Sequence, residues 1–78
     1  MKRLKAILSN VLEIDENEIR DETSQDNIET WDSFNSLMLV SELENNFNVR
    51  FTIHEVTIMK SVKDIKDILK KHGIILEQ

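Results

Sequence analysis

The segment TWDSFNSL, residues 30–37, indicates where the central helix of this chain begins. Aspartate is a favoured N-cap residue, because its carboxylate accepts a hydrogen bond from an N–H group of the first turn. The helix is therefore predicted to begin at Asp32 or Ser33 and to run to about Asn46. Apolar residues recur every three to four positions along it, which predicts a core face formed by Leu37, Val40, Leu43 and Phe47.

Two apolar side chains of this helix lie off the predicted core face. Phe34 and Met38 are four positions apart and therefore share one strip of the helix. The other residues of that strip are polar: Asn35, Ser41, Glu42 and Asn45. The two apolar side chains could tuck beneath a loop or form a small contact patch, and the sequence leaves both interpretations open.

On the N-terminal side, an amphipathic helix is predicted over residues 2–13. Its apolar positions have the spacing of one helical face: Leu4, Ile7, Leu8, Val11 and Leu12. Residues 14–32 lose this period and form a long acidic connection, anchored to the core by Ile14, Ile19 and Ile28. A connection of this length often has a function of its own or contains a short helical turn that the pattern cannot place.

The acidic connection does not match a calcium-binding loop. Such a loop takes oxygen ligands at positions 1, 3, 5 and 12 and has glycine at position 6. Counted from Asp21, position 6 is Asp26, so no calcium site is predicted.

Two more helices are predicted towards the C-terminus. Thr52 and Glu55 match a capping box, which opens a short third helix. Ser61 begins the last helix in the same way, and Gly73 suits its left-handed end. The chain has no proline, one glycine and no hairpin signal, so we expect one all-α domain over residues 1–78. Its predicted architecture is a four-helix bundle with a long first loop and a short third helix.

Several classes of site and location are disfavoured by composition. The chain has no cysteine, and its two histidines, His54 and His72, lack ligand-like spacing, so both are expected at the surface and no metal site is predicted. No apolar run approaches the roughly 18 residues of a membrane span. No apolar signal core follows the first charged residues, so a cytoplasmic protein is expected.

The net charge of −5 conceals a strong asymmetry along the chain. Eleven acidic residues lie between Glu13 and Glu44, against one basic residue, Arg20, while both ends of the chain are rich in lysine. This acidic centre would repel a phosphate backbone, so nucleic acid is not an expected partner. A basic protein surface is the expected partner, although solubility alone is a second interpretation.

Ser33 admits two interpretations, as part of a helix start or as a point of attachment. A serine nucleophile would need a nearby base and donors for an oxyanion, and both histidines lie far along the chain, so catalysis is not expected. If Asp32 caps the helix, the Ser33 hydroxyl lies at its positive end, where a phosphodiester is favourably placed. The acidic surroundings disfavour free phosphate, so a covalent link made by another enzyme fits better.

The segment that begins at Asp32 resembles a known protein family. The second helix of acyl carrier proteins begins with an Asp-Ser-Leu motif, and here Asp32-Ser33-Phe34 is followed by Leu37, Leu39, Val40, Leu43, Glu44 and Phe47. The resemblance covers nearly the whole chain: an amphipathic first helix, a long acidic loop, this helix, the segment FNVRFTIHEV and a last helix introduced by SVKDI.

The resemblance implies a function, a cofactor and partners. It implies that Ser33 carries 4′-phosphopantetheine, attached from coenzyme A by a phosphopantetheinyl transferase that also recognises Asp32. The thiol of that arm would hold an acyl or aminoacyl group as a thioester and present it to ligases, synthases or transferases with basic docking patches. The implied partner surface comprises Phe34, Asn35, Met38, Ser41, Glu42, Asn45 and Val56. A monomer is implied, and no membrane insertion.

Some positions depart from the family pattern. Phe34 replaces the usual leucine, and Thr30 stands where fatty-acid carriers often have glycine. The outer face of the second helix carries Asn35, Met38, Ser41 and Asn45 where those carriers tend to be acidic. We therefore expect a discrete carrier for a dedicated biosynthetic pathway. The alternative is a cofactor-free helical adaptor that binds proteins through the Phe34/Met38 face.

Overall fold

The computed structural model describes residues 2–76, which form an all-helical fold. Its four α-helices are α1 (Lys2–Leu12), α2 (Ser33–Phe47), α3 (Ile53–Ile58) and α4 (Val62–Lys71). A single 3₁₀ turn, Glu16–Glu18, lies in the long first loop, and the described residues contain no strand. The prediction of a four-helix all-α fold with a long first loop and a short third helix is confirmed.

The predicted helix starts are formed by side-chain caps. Asp32 accepts from the N–H of Asn35 at 2.9 Å, and Ser61 accepts from the N–H of Asp64 at 3.1 Å. At α3 the capping box is complete, because Thr52 and Glu55 each accept the other's backbone N–H. These bonds satisfy donors that a helix leaves without intrahelical partners, and so they fix where each helix begins.

The core lies between the inner faces of the helices. α1 supplies most of the stripe predicted for it, with four buried residues: Leu4, Ile7, Leu8 and Leu12. α4 adds four more buried residues to the same core: Val62, Ile65, Ile68 and Leu69. Gly73 follows α4 with φ of +84°, the left-handed conformation expected at that position.

The predicted core face of α2 is wrong at its first position. Leu37 is 65% exposed, whereas Leu39 is 2% exposed and Leu43 is fully buried. Val40 and Phe47 are partly buried against the core, so the prediction holds for Val40, Leu43 and Phe47. Residues 37–40 are four consecutive apolar residues. The apolar spacing is therefore compatible with several rotations of the helix about its own axis.

The long first loop is fastened to the segment that precedes α4. The N–H of Gln25 donates to the carbonyl of Lys60, and the N–H of Val62 donates to the carbonyl of Thr23. The predicted anchors hold this loop on the core, since Ile19 is buried and Ile14 and Ile28 are partly buried. None of the helices formed by residues 2–76 has the length and apolar character that a membrane crossing requires.

Candidate functional site

Ser33 is the first residue of α2, and its side chain lies at the surface. Asp32 precedes it in an extended conformation, with φ of −105° and ψ of −175°, and caps the helix. Asn35 stabilises the approach to the helix, because its side-chain amide donates to the carbonyl of Thr30 at 2.7 Å. The hydroxyl is thus presented by a rigid start to a helix of 15 residues, whose N-terminus carries a partial positive charge.

Exposure separates Ser33 from most other serines of the chain. All six serines lie in the described range, and four of them are partly buried: Ser9, Ser24, Ser36 and Ser61. Ser41 is exposed like Ser33 but lies in the interior of α2. An enzyme that attaches a group to a hydroxyl needs access to it, and Ser33 combines that access with a helix N-terminus.

A hydrogen-bonded group that the sequence did not reveal joins the first loop to the first turn of α2. The indole N–H of Trp31 donates to the hydroxyl oxygen of Ser36 at 3.1 Å, and the side-chain amide of Gln25 donates to the same oxygen at 2.8 Å. Trp31 is only 3% exposed. Its position as the single tryptophan, directly before Asp32, was the one signal in the sequence that pointed to it.

From the residue next to Ser33 onwards, α2 presents an exposed apolar surface. Phe34 is 70% exposed and Met38 is 42% exposed, so the interpretation in which they tuck beneath a loop is wrong. Leu37 belongs to the same surface, although it was assigned to the core. We call Phe34, Leu37 and Met38 the apolar patch.

The remaining residues of the predicted partner surface differ in exposure. Ser41 and Asn45 are exposed, whereas Asn35, Glu42 and Val56 are partly buried. α3 adds two large exposed side chains that the sequence analysis did not assign to a surface, Ile53 and Ile58. Exposed apolar side chains on neighbouring turns of a helix are typical of a protein contact surface.

The two histidines have different surroundings. His54 is exposed, whereas the Nε2 atom of His72 lies 3.0 Å from both carboxylate oxygens of Glu55. Glu55 is 4% exposed, and the N–H of Thr52 together with His72 holds the pKa of its carboxyl below the ordinary value of 4.5, against the opposing effect of burial. Residues 2–76 contain no cluster of three or more histidine, cysteine, aspartate or glutamate residues able to hold a metal ion.

The comparison with protein families agrees with this geometry. A family model described as "Phosphopantetheine attachment site" matches residues 2–69, which is most of the chain and extends from α1 into α4. No individual protein of curated function matches the sequence significantly. Domains of this family carry 4′-phosphopantetheine covalently and are carriers rather than enzymes. The exposed hydroxyl at the start of α2 fits such a group, and the chain belongs to the phosphopantetheine attachment site family.

Proposed function

We propose that this chain is a discrete acyl carrier domain and that Ser33 is its attachment point for 4′-phosphopantetheine. The observation that carries the proposal is the exposed Ser33 hydroxyl at the first position of α2, in a chain that belongs to a phosphopantetheine attachment family. When bound, this group supplies a thiol on a flexible arm, which holds an acyl or aminoacyl cargo as a thioester.

The residues around Ser33 have distinct roles in this proposal. Asp32 fixes the start of the helix, so that the hydroxyl projects from a rigid base, and its carboxylate is a recognition point for the transferase. The N-terminus of α2 stabilises the negative charge of a phosphodiester at Ser33. Because the loop before α2 is strongly acidic, the link is covalent and made by another enzyme rather than by capture of a free anion.

The apolar patch and the acidic loop together suit partner enzymes with basic docking surfaces. Opposite charges accelerate encounter, and desolvated apolar side chains then supply affinity. Phe34 lies next to Ser33, so a partner seated on the patch is also placed beside the cargo. We infer that the partners are a phosphopantetheinyl transferase and the ligases, synthases or transferases of one pathway.

A dedicated biosynthetic pathway is favoured over general fatty acid synthesis. The exposed polar residues on the outer side of α2, Ser41 and Asn45, are uncharged, and the negative charge is concentrated in the loop before the helix. A partner that recognises this carrier therefore contacts an apolar patch that is bordered on the outer side of α2 by the uncharged side chains of Ser41 and Asn45.

Intact-protein mass spectrometry tests the proposal. The wild-type chain, incubated with coenzyme A, Mg²⁺ and a broad-specificity transferase, should gain the mass of one phosphopantetheine group. Ser33→Ala should gain none. Ser41→Ala removes the other exposed serine of the same helix and should be modified like wild type. A wild-type chain that gains no mass, or a Ser33→Ala chain that does, would contradict the assignment.

The exposure of Phe34 and Met38 also favours a second candidate, a cofactor-free adaptor that binds proteins through the apolar patch. It predicts that Ser33→Ala leaves function in the cell intact, whereas Phe34→Ala with Met38→Ala abolishes it. The carrier proposal predicts loss of function in Ser33→Ala itself. Complementation of a deletion strain with the two variants therefore distinguishes the candidates.

A further inference from the structure

The space that the helices enclose on the inner side of α2 is almost completely filled. It is lined by residues from the first loop, α2, α3, α4 and the link before α4: Trp31, Ser36, Leu39, Val40, Leu43, Val56, Met59 and Ile65. The gap between these side chains has a volume of about 10 Å³. A gap of this size holds one water-sized group at most, so a chain of several methylene groups finds no room.

Trp31 is the bulkiest side chain around this gap, and hydrogen bonds hold it in place. Its indole is 3% exposed, and its N–H is bonded to the oxygen of Ser36, which Gln25 holds from the other side. A movement that withdrew the indole from the core would break this bond and expose its apolar rings to water.

The backbone on both sides of Trp31 is also fastened. The hydroxyl of Thr30 donates to the carbonyl of Leu12 at 2.6 Å, which ties the loop to the end of α1. On the other side, Asp32 is fixed by its capping bond to Asn35. The indole therefore cannot be carried out of the core by a movement of its backbone unless these bonds break, and rotation of the side chain itself would break the bond to Ser36.

From these contacts we infer that Trp31 closes the helical bundle to the cargo, and that this carrier takes short or polar acyl groups, such as aminoacyl or hydroxyacyl groups, which stay outside in solvent. The inference rests on the proposed attachment at Ser33. Trp31 acts as a specificity-determining residue, because it occupies the volume that an apolar chain would need.

The apolar surface areas of the indole and of an acyl chain show how long a cargo would have to be to displace Trp31. A buried aromatic side chain removes about 200 Å² from water, and a methylene group about 30 Å². A chain of fewer than about seven methylene groups would thus bury less apolar area than the displaced indole would lose. Even at about seven methylene groups the exchange gives no net gain, since the hydrogen bond between Trp31 and Ser36 is lost as well.

The test compares acetyl and octanoyl forms of the intact wild-type chain. Both are made from the corresponding acyl-coenzyme A with a broad-specificity transferase, and intact mass establishes loading. We expect the Tm of the two forms to agree within about 1 °C and the emission maximum of Trp31, the single tryptophan, to be the same in both. A Tm several degrees higher for the octanoyl form, or a shifted emission maximum, would overturn the inference. Absence of added mass would instead overturn the proposed attachment at Ser33.

Variants then test whether Trp31 is the residue that closes the bundle. In Trp31→Ala, the octanoyl form should have a Tm at least about 4 °C above that of the acetyl form, because the vacated space admits the chain. Leu12→Ala is the matched control, since Leu12 is fully buried in the core but does not line this gap. The acetyl and octanoyl forms of this control should have equal Tm.

If Trp31→Ala does not fold, Trp31→Leu keeps an apolar side chain and still vacates part of the volume. A folded Trp31 variant with no dependence on chain length would contradict the role of this residue.

Discussion

Leu37 and Leu39 are both leucines in the same helix, but they lie about 200° apart around it and have opposite surroundings. Leu39 is 2% exposed, so Leu39→Ala should leave a cavity and lower the free energy of unfolding by about 2–5 kcal/mol. Leu37 is 65% exposed, so Leu37→Ala should change it by no more than about 0.5 kcal/mol. Urea denaturation of both variants measures the difference.

The two variants form a matched pair, because the substitution and the helix are the same and helix propensity therefore cancels. Equal losses of stability in the two variants would mean that α2 is rotated relative to the structure described above. If only Leu39→Ala is destabilised, Leu37 is free to contribute to the apolar patch, where a partner can contact it.

Asp32 and Ser33 illustrate what can be predicted at the level of single residues. The cap was predictable because it depends on a local hydrogen bond between residues three positions apart, and the structure has that bond. The identity of Ser33 as the start of α2 follows from the same local rule. The burial of Trp31 was not predictable, because it depends in part on residues that are distant in sequence, such as Val56, Met59 and Ile65.

At the scale of elements, local signals located the helices but did not orient all of them. The stripe of α1 was predicted correctly because polar residues separate its apolar positions clearly. In α2, four consecutive apolar residues at positions 37–40 allow several phases, and only packing against the other helices selects one. The 3₁₀ turn Glu16–Glu18 was left unplaced because it is too short to have a period, although Asp15 caps it through the N–H of Asn17.

The position of the first loop could not be predicted from pattern either. Its attachment depends on backbone bonds between residues far apart in sequence, such as that from Val62 to Thr23. A salt bridge of 2.8 Å between Lys66 of α4 and Asp21 adds to this attachment. Lys66 donates a hydrogen bond to Asp21 and thereby lowers the pKa of its carboxyl.

The short helix α3 is connected to α4 through one buried carboxylate, and this connection makes stability depend on pH. Thr52 and His72 lower the pKa of Glu55 in the folded chain, relative to an ordinary value of 4.5. A carboxyl with a depressed folded pKa stabilises the fold above the unfolded pKa, and this contribution is lost as pH falls through the folded value. We therefore expect the wild-type chain to lose stability below about pH 4.5.

Glu55→Gln isolates this contribution. Glutamine can still accept the capping bond from Thr52, but it has no charge to offer His72 or Lys71. The variant should be less stable than wild type near neutral pH, and the difference should shrink as the pH falls below about 4.5. Urea midpoints over this pH range measure the difference in stability.

Glu22→Gln, at an exposed loop position, serves as the control and should follow wild type throughout. A difference that stays constant with pH would show that Glu55 contributes by packing rather than by charge.

At the scale of the whole molecule, charge is distributed unevenly along the chain and connects the fold to its proposed partners. Eleven acids against one base lie between Glu13 and Glu44, which covers the first loop and most of α2. Because the loop leads directly into Ser33, a basic partner attracted by this segment arrives at the proposed attachment site. The charge asymmetry, the apolar patch and the exposed hydroxyl therefore lie on consecutive parts of one chain segment.

Electrostatic attraction of this kind should appear in the rate at which the transferase modifies the chain. The value of kcat/KM should fall by about tenfold or more as salt rises from low concentration to about 1 M, because the screening length shrinks to about 3 Å. Glu22→Gln, Asp26→Asn and Glu29→Gln together neutralise three exposed acids of the loop and should slow modification at low salt. At high salt the combined variant and wild type should converge.

A control with the opposite change in charge distinguishes a loss of electrostatic attraction from an effect of salt on the transferase itself. Lys60→Gln with Lys70→Gln removes two exposed positive charges and makes the chain more acidic, so its modification at low salt should be as fast as wild type or faster. If both combined variants slowed modification equally, the loss would be due to altered contacts rather than to charge. Steering requires that the variant with three neutralised acids be the slower one, and that its deficit disappear with salt, because screening acts on charge and leaves apolar contacts in place.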